Sequence, residues 1–181
     1  MIWLIVEDGI VTNIIVADDA FSKTIGAEPF YAGAAIGCAY RPPELLDAEK
    51  QSKLLELSKV CNATIAEGCD VTLSDGKTGR ISRTDEDQIN LMSALATVQA
   101  GAAGYPYHLN GELCRVYAAA DITIMATAAT QHKIYHSTYC NHLNVWVRRS
   151  ATVEAVQAIT YGAALPVDLA DNMKEVLGHV G

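Results

Sequence analysis

"IWLIVEDGIVTNIIVAD", residues 2–18, decides the fold class. Two runs rich in β-branched residues flank Glu7-Asp8-Gly9, and Asp-Gly is the pair that a tight hairpin turn prefers. The stretch predicts a β-hairpin. Ile2, Leu4 and Val6 alternate with Trp3 and Ile5, so both faces of the first strand are apolar, as in a strand covered on each side. A two-stranded hairpin is marginal in water, so residues 1–20 must pair or pack with something else. A free strand edge invites such pairing.

The next stretch breaks the pattern. "FSKTIGAEPFYAGAAIGCAYRPP", residues 21–43, carries Gly26, Gly33 and Gly37 with Pro29, Pro42 and Pro43. That composition reads as a connector. It sets an expected boundary between an N-terminal β-rich attachment module over 1–41 and a mainly helical domain over 42–181.

Pro42-Pro43-Glu44 opens a helix in the favoured way, with proline and an acid in the first turn. Leu54, Leu57, Cys61 and Ile65 give it one apolar face, and Gly68 stops it. "DVTLSDGKTGRISR", residues 70–83, follows as a hairpin turning at Asp75-Gly76. "TDEDQINLMSALATVQAGAAG", residues 84–104, is a helix capped by Thr84 with Asp87 in the capping-box position, ended by Gly101 and Gly104. "YPYHLNGELCRVY", residues 105–117, reads as a further hairpin with Asn110-Gly111 in its turn.

From about Ala119 to Arg149 the spacing predicts one long helix. Ile122, Met125, Ala129, His132, His136, Cys140, Leu143 and Val147 form one stripe, and Tyr135, Tyr139, His142 and Trp146 a second beside it. Lys133, Ser137, Asn141, Asn144 and Arg148 fall on the opposite side. "TVEAVQAITYG" closing at Gly162, and a last helix from Leu165-Pro166 to Gly178, complete the chain. Strands first, then helices punctuated by short hairpins, make an α+β protein.

Charge and composition narrow the function. The formal net charge is −8, and the one tight basic pair, Arg148-Arg149, sits where a helix end favours cations. No nucleic acid is expected as partner. No run has the length of a membrane span, and "MIWLIVEDG" lacks the basic start of a signal peptide, so the chain is expected to be made and used without secretion. Five cysteines without CxxC spacing read as buried free thiols rather than a disulfide framework.

Two candidate sites compete in the long helix. His132, His136 and Cys140 share one face, with His108 or Cys114 as a fourth donor, a mixed N/S set that zinc accepts. Their register with Leu143 and Val147 favours core packing instead, and no metal or other cofactor is expected. A Cys114–His108 nucleophile pair lacks an orienting acid and an oxyanion hole, no phosphate loop appears, and an enzyme is not expected. Trp3, Tyr135, Tyr139, His142 and Trp146 are the expected interface residues, since Tyr and Trp are favoured at interfaces.

Longer motifs carry a likeness. "TDEDQINLMSALA", "YPYHLNGELCRVYAAAD", "YHSTYCNHLNVWVRR" and "ITYGAALP" together resemble a bacteriophage tail-associated domain of unknown function. "DGIVTNIIVADDAFSKTIGA" and "GAAIGCAYRPP" resemble the N-terminal segment of small phage tail-fibre and tail-tip proteins. The resemblance spans nearly the whole chain and brings no catalytic residues with it. It implies a structural protein of the tail (baseplate, tip or fibre-associated) or, alternatively, a tail-fibre assembly chaperone. It further implies synthesis in the host cytoplasm, residence in the virion, and other tail proteins, further copies of itself or a host surface receptor as partners.

Overall fold

The computed structural model describes residues 1–31, 33–41 and 43–179. In chain order the elements are β1 (Ile2–Glu7), β2 (Ile10–Val16), α1 (Asp19–Thr24), β3 (Glu28–Pro29), α2 (Pro43–Glu67), β4 (Cys69–Thr72), β5 (Thr78–Ile81), α3 (Asp85–Gln99), β6 (Gly104–Tyr107), β7 (Arg115–Ala118), α4 (Ala119–Arg149), α5 (Val153–Gln157) and α6 (Val167–Gly178). This is an α+β protein with a hairpin ahead of a mainly helical remainder.

The chain forms two compact units. The first comprises residues 1–56 and 143–163, the second residues 57–142 and 164–181. The boundary expected at 41/42 falls inside the first unit, and α2 and α4 each contribute residues to both. Pro42, the first residue of the expected helix start, lies outside the described residues.

In the first unit Asp8 and Gly9 both take positive φ, 51° and 77°, as a two-residue hairpin turn requires. Pairing runs from Glu7↔Ile10 to Ile2↔Val16, with a bulge because Val6 faces Val11 while Ile5 faces Asn13. The connector is more structured than its composition suggests. Asp18 caps α1 by accepting from the Phe21 N–H at 2.8 Å, and β3 adds to β1 through Trp3↔Pro29 and Leu4↔Glu28. Proline is tolerated there because β3 is an edge strand. Trp3 and Leu4 are both buried, on opposite faces of β1, whereas Ile2 is exposed.

The second unit holds one contiguous core. Val71 and Ile81 come from the β4–β5 hairpin, Leu91, Ala94 and Val98 from one face of α3, Tyr107 and Tyr117 from β6–β7, and Ile122, Met125 and Ala129 from α4. The three- and four-residue steps on both helices are what bring these side chains to one side. Gly68 follows α2 at φ 76°, where a Cβ would lie 1.7 Å from the Ile81 carbonyl oxygen. No other residue fits there. The capping box of α3 is complete: Thr84 Oγ1 accepts from the Asp87 N–H and Asp87 returns the bond to the Thr84 N–H.

Two turns differ from expectation. β6 and β7 are separated by residues 108–114, and of the Asn110-Gly111 pair only Gly111 takes positive φ. Asn110 instead bonds to the neighbouring hairpin, donating its N–H to Arg80 O at 2.8 Å and accepting from the Ser82 N–H at 3.1 Å. Gly104 does not end α3 but begins β6, where a Cβ would meet Tyr117 O at 2.5 Å. The helix expected to close at Gly162 is shorter, with Ala158 as its C-cap.

Candidate functional site

The long-helix stripe lies largely inside the second unit. Leu57 and Cys61 stand one helical turn apart on α2, and His136 and Cys140 one turn apart on α4. The Cys61 thiol donates to His136 O at 3.4 Å, and the Cys140 thiol to Leu57 O at 3.9 Å. Both cysteines are buried. Burial, with Cys61 alongside, pushes the Cys140 thiol up to about 12. His132 Nε2 lies 3.1 Å from Thr64 O, and its ring meets that of His136 edge-on with centroids 4.5 Å apart. Burial and the neighbouring His132 draw His136 below the ordinary histidine value.

This is not metal-site geometry. The Cys140 thiol and the His132 ring nitrogen are turned to backbone carbonyls of α2, and the Cys61 thiol to one of α4, rather than towards a shared point, and among the described residues no group of three or more His, Cys, Asp or Glu could hold a metal ion. His108 is exposed and stacks on Tyr107. Cys114 is exposed too. The all-buried reading of the thiols therefore holds for Cys61 and Cys140 but not for Cys38 and Cys114.

The second stripe divides. Tyr139 and His142 are buried, the latter by Asn172 of α6 among others, while Tyr135 is 49% exposed. Tyr135 stacks on Tyr139 with the rings 15° from parallel. Trp146 is half-buried in the first unit. Trp3 is buried, and its indole N–H donates to Ala17 O at 3.2 Å. Of the five expected interface residues, Tyr135 alone presents a large exposed face. Aromatic spacing on a helix does not separate an outward stripe from one that a neighbouring element covers.

A different surface stands out in the first unit. Met1 and Ala17 exchange backbone hydrogen bonds at 3.1 Å. Antiparallel alternation then turns the peptide groups of Val16 and Ile14 outward, away from β1. At the start of β2 the outward groups of Val11 are taken: its N–H donates to Cys38 O, and its carbonyl accepts from the Gly37 N–H. The Ile14 N–H donates to Asn13 Oδ1 at 2.8 Å. The Ile14 carbonyl and both Val16 peptide groups have no partner among the described residues. Thr12, Asn13 and Val16 are exposed, Val16 by 83%. No charged residue occurs from Ile10 to Ala17, so nothing on this edge opposes addition of another strand. The sequence showed the signal, an uncharged β-branched run, but not which edge stays open.

The first unit also contains a cavity of about 420 Å³, lined by Tyr31, Cys38, Arg41, Asp47 and Glu154 among others. Arg41 and Glu154 form an ion pair, and the Tyr31 hydroxyl accepts from the Arg41 N–H at 3.0 Å. Arg41 and Glu154 neutralise each other, and Asp47 adds one further carboxylate to the lining.

No family model matches the chain, and neither a curated protein nor a solved structure matches it. No described helix is long and apolar enough to cross a membrane.

Proposed function

We propose that this chain is a structural docking protein of a bacteriophage tail, held in the tail by strand addition to β2. The open, uncharged outer edge over Thr12–Val16 carries the docking part of the reading. Main-chain hydrogen bonds supply affinity in strand addition, and the alternate side chains supply specificity. Thr12 and Val16 offer such side chains beside the free peptide groups. The phage-tail part rests on the motif resemblance across "TDEDQINLMSALA", "YHSTYCNHLNVWVRR" and the opening segment. Docking needs no reacting group, and no catalytic residue is assigned.

The test is a Thr12→Lys/Val16→Lys chain. Both positions are exposed, and the one bond lost is that from the Thr12 hydroxyl to Ile5 O at 3.3 Å, so the fold should keep its stability within about 1 kcal/mol. Charges on the edge should abolish incorporation into tails, as edge lysines block strand pairing in natural sheets. Normal incorporation of the folded double variant would place the attachment elsewhere.

A further inference from the structure

We propose that Cys61 and Cys140 form a reversible disulfide that staples α2 to α4 within the second unit. The proposal is independent of the tail reading. Its basis is a reciprocal arrangement across two helices. The Cys61 thiol reaches the carbonyl one turn before Cys140, and the Cys140 thiol reaches the carbonyl one turn before Cys61. Each thiol therefore lies against the other helix's backbone, at the level of the other cysteine. Such reach is available only where small side chains let two helices approach closely. Both are buried, at 4% and 7% exposure, so an encounter with another chain's thiol is disfavoured against an encounter with each other.

The remaining cysteines differ. Cys38 and Cys114 are exposed, and Cys69 is half-buried in β4. The pair's burial also sets its kinetics. Desolvation keeps the Cys140 sulfur protonated, so exchange begins when the helices part enough for a thiolate to form.

The oxidant is a low-molecular-weight disulfide. One protein thiol loses its proton, and its thiolate attacks a reagent sulfur, breaking the reagent S–S bond and releasing one reagent thiolate, which takes up that proton. The second protein thiol then loses its proton, attacks the protein sulfur of the mixed disulfide and releases the second reagent thiol. Two electrons pass from the protein to the reagent, and one Cys61–Cys140 bond forms. The bond closes a long loop, which constrains the unfolded chain strongly. A chain leaving a reducing compartment would gain stability by this step.

The experiment uses the full chain with Cys38→Ser and Cys114→Ser, which removes the exposed thiols. The folded protein is equilibrated with hydroxyethyl disulfide, unfolded, alkylated and mapped by mass spectrometry without reduction. The expected result is a cross-linked peptide pair containing Cys61 and Cys140, with Cys69 alone alkylated and full reversal by dithiothreitol. Adding Cys61→Ala should abolish the cross-link. All three thiols still alkylatable, stable reagent adducts on Cys61 or Cys140, or either one joined to Cys69, would overturn the proposal.

Discussion

His142 Nε2 lies 3.0 Å from Asn172 Oδ1, which ties α4 to α6. The same ring places Nδ1 2.7 Å from Thr138 O. A carbonyl only accepts, so that contact fixes a ring hydrogen on Nδ1. His142→Ala should lower stability by about 1–3 kcal/mol through lost packing and an unpaired amide. Urea unfolding measures this, and the oligomeric state should be unchanged. A shift in oligomeric state at unchanged stability would return His142 to an interface.

Gly68 should be the least replaceable glycine of the second unit. Gly68→Ala combines a left-handed backbone with a Cβ driven into the Ile81 backbone. Gly76 also has positive φ, 82°, but open space around it. Gly76→Ala should cost about 1–2 kcal/mol, and Gly68→Ala clearly more, by thermal unfolding of the two side by side. Equal costs would mean that the close approach is relieved by a small backbone shift.

In reducing buffer, Cys140→Ala and His136→Ala should lose stability by packing alone, within the few kcal/mol typical of core truncations. A chelator should leave the melting temperature of the native chain unchanged. Elemental analysis finding one stoichiometric zinc, absent from both variants, would contradict the core assignment.

Acidification should destabilise the protein in a window set by His136. Burial, together with His132, lowers its folded value below the ordinary 6.5. The unfolded chain therefore takes up a proton first, and stability falls as pH drops through about 6.5 towards the folded value. Asp87 acts in a lower window: burial opposes ionisation, but hydrogen bonds from Ser82 and Thr84 hold it below 3.8. Its contribution, present above 3.8, is lost as pH falls through its folded value. His136→Gln should flatten the upper window only, read from urea midpoints between pH 7.5 and 5. An unchanged slope in the variant would assign that window to another histidine.

Hydrophobic spacing revealed most of the helices because each buried face repeats at helical steps. Ile122, Met125 and Ala129 are core as their register implies, and Thr84 with Asp87 caps α3 as the motif implies. Local signals failed where tertiary bonds decide. Asn110 looked like a tight-turn residue but is committed to Arg80 and Ser82 of another hairpin. The six residues of α1 are too few to show a period. The interface expectation failed differently: Tyr139 and His142 sit at positions whose exposure depends on whether another segment, here α6 for His142, lies over them. The open edge of β2 was hidden because the free side of a strand depends on its neighbours, and β3 is only two residues long.

The central claim is that the chain is a docked component of a tail. Tail particles purified from cells carrying the encoding genome should contain the wild-type chain in a fixed ratio to the other tail proteins by quantitative mass spectrometry. Particles made with the Thr12→Lys/Val16→Lys chain should lack it, though the chain is folded in the lysate. Absence of the wild-type chain from finished tails, or its presence only in assembly intermediates, would contradict the structural reading and favour an assembly chaperone.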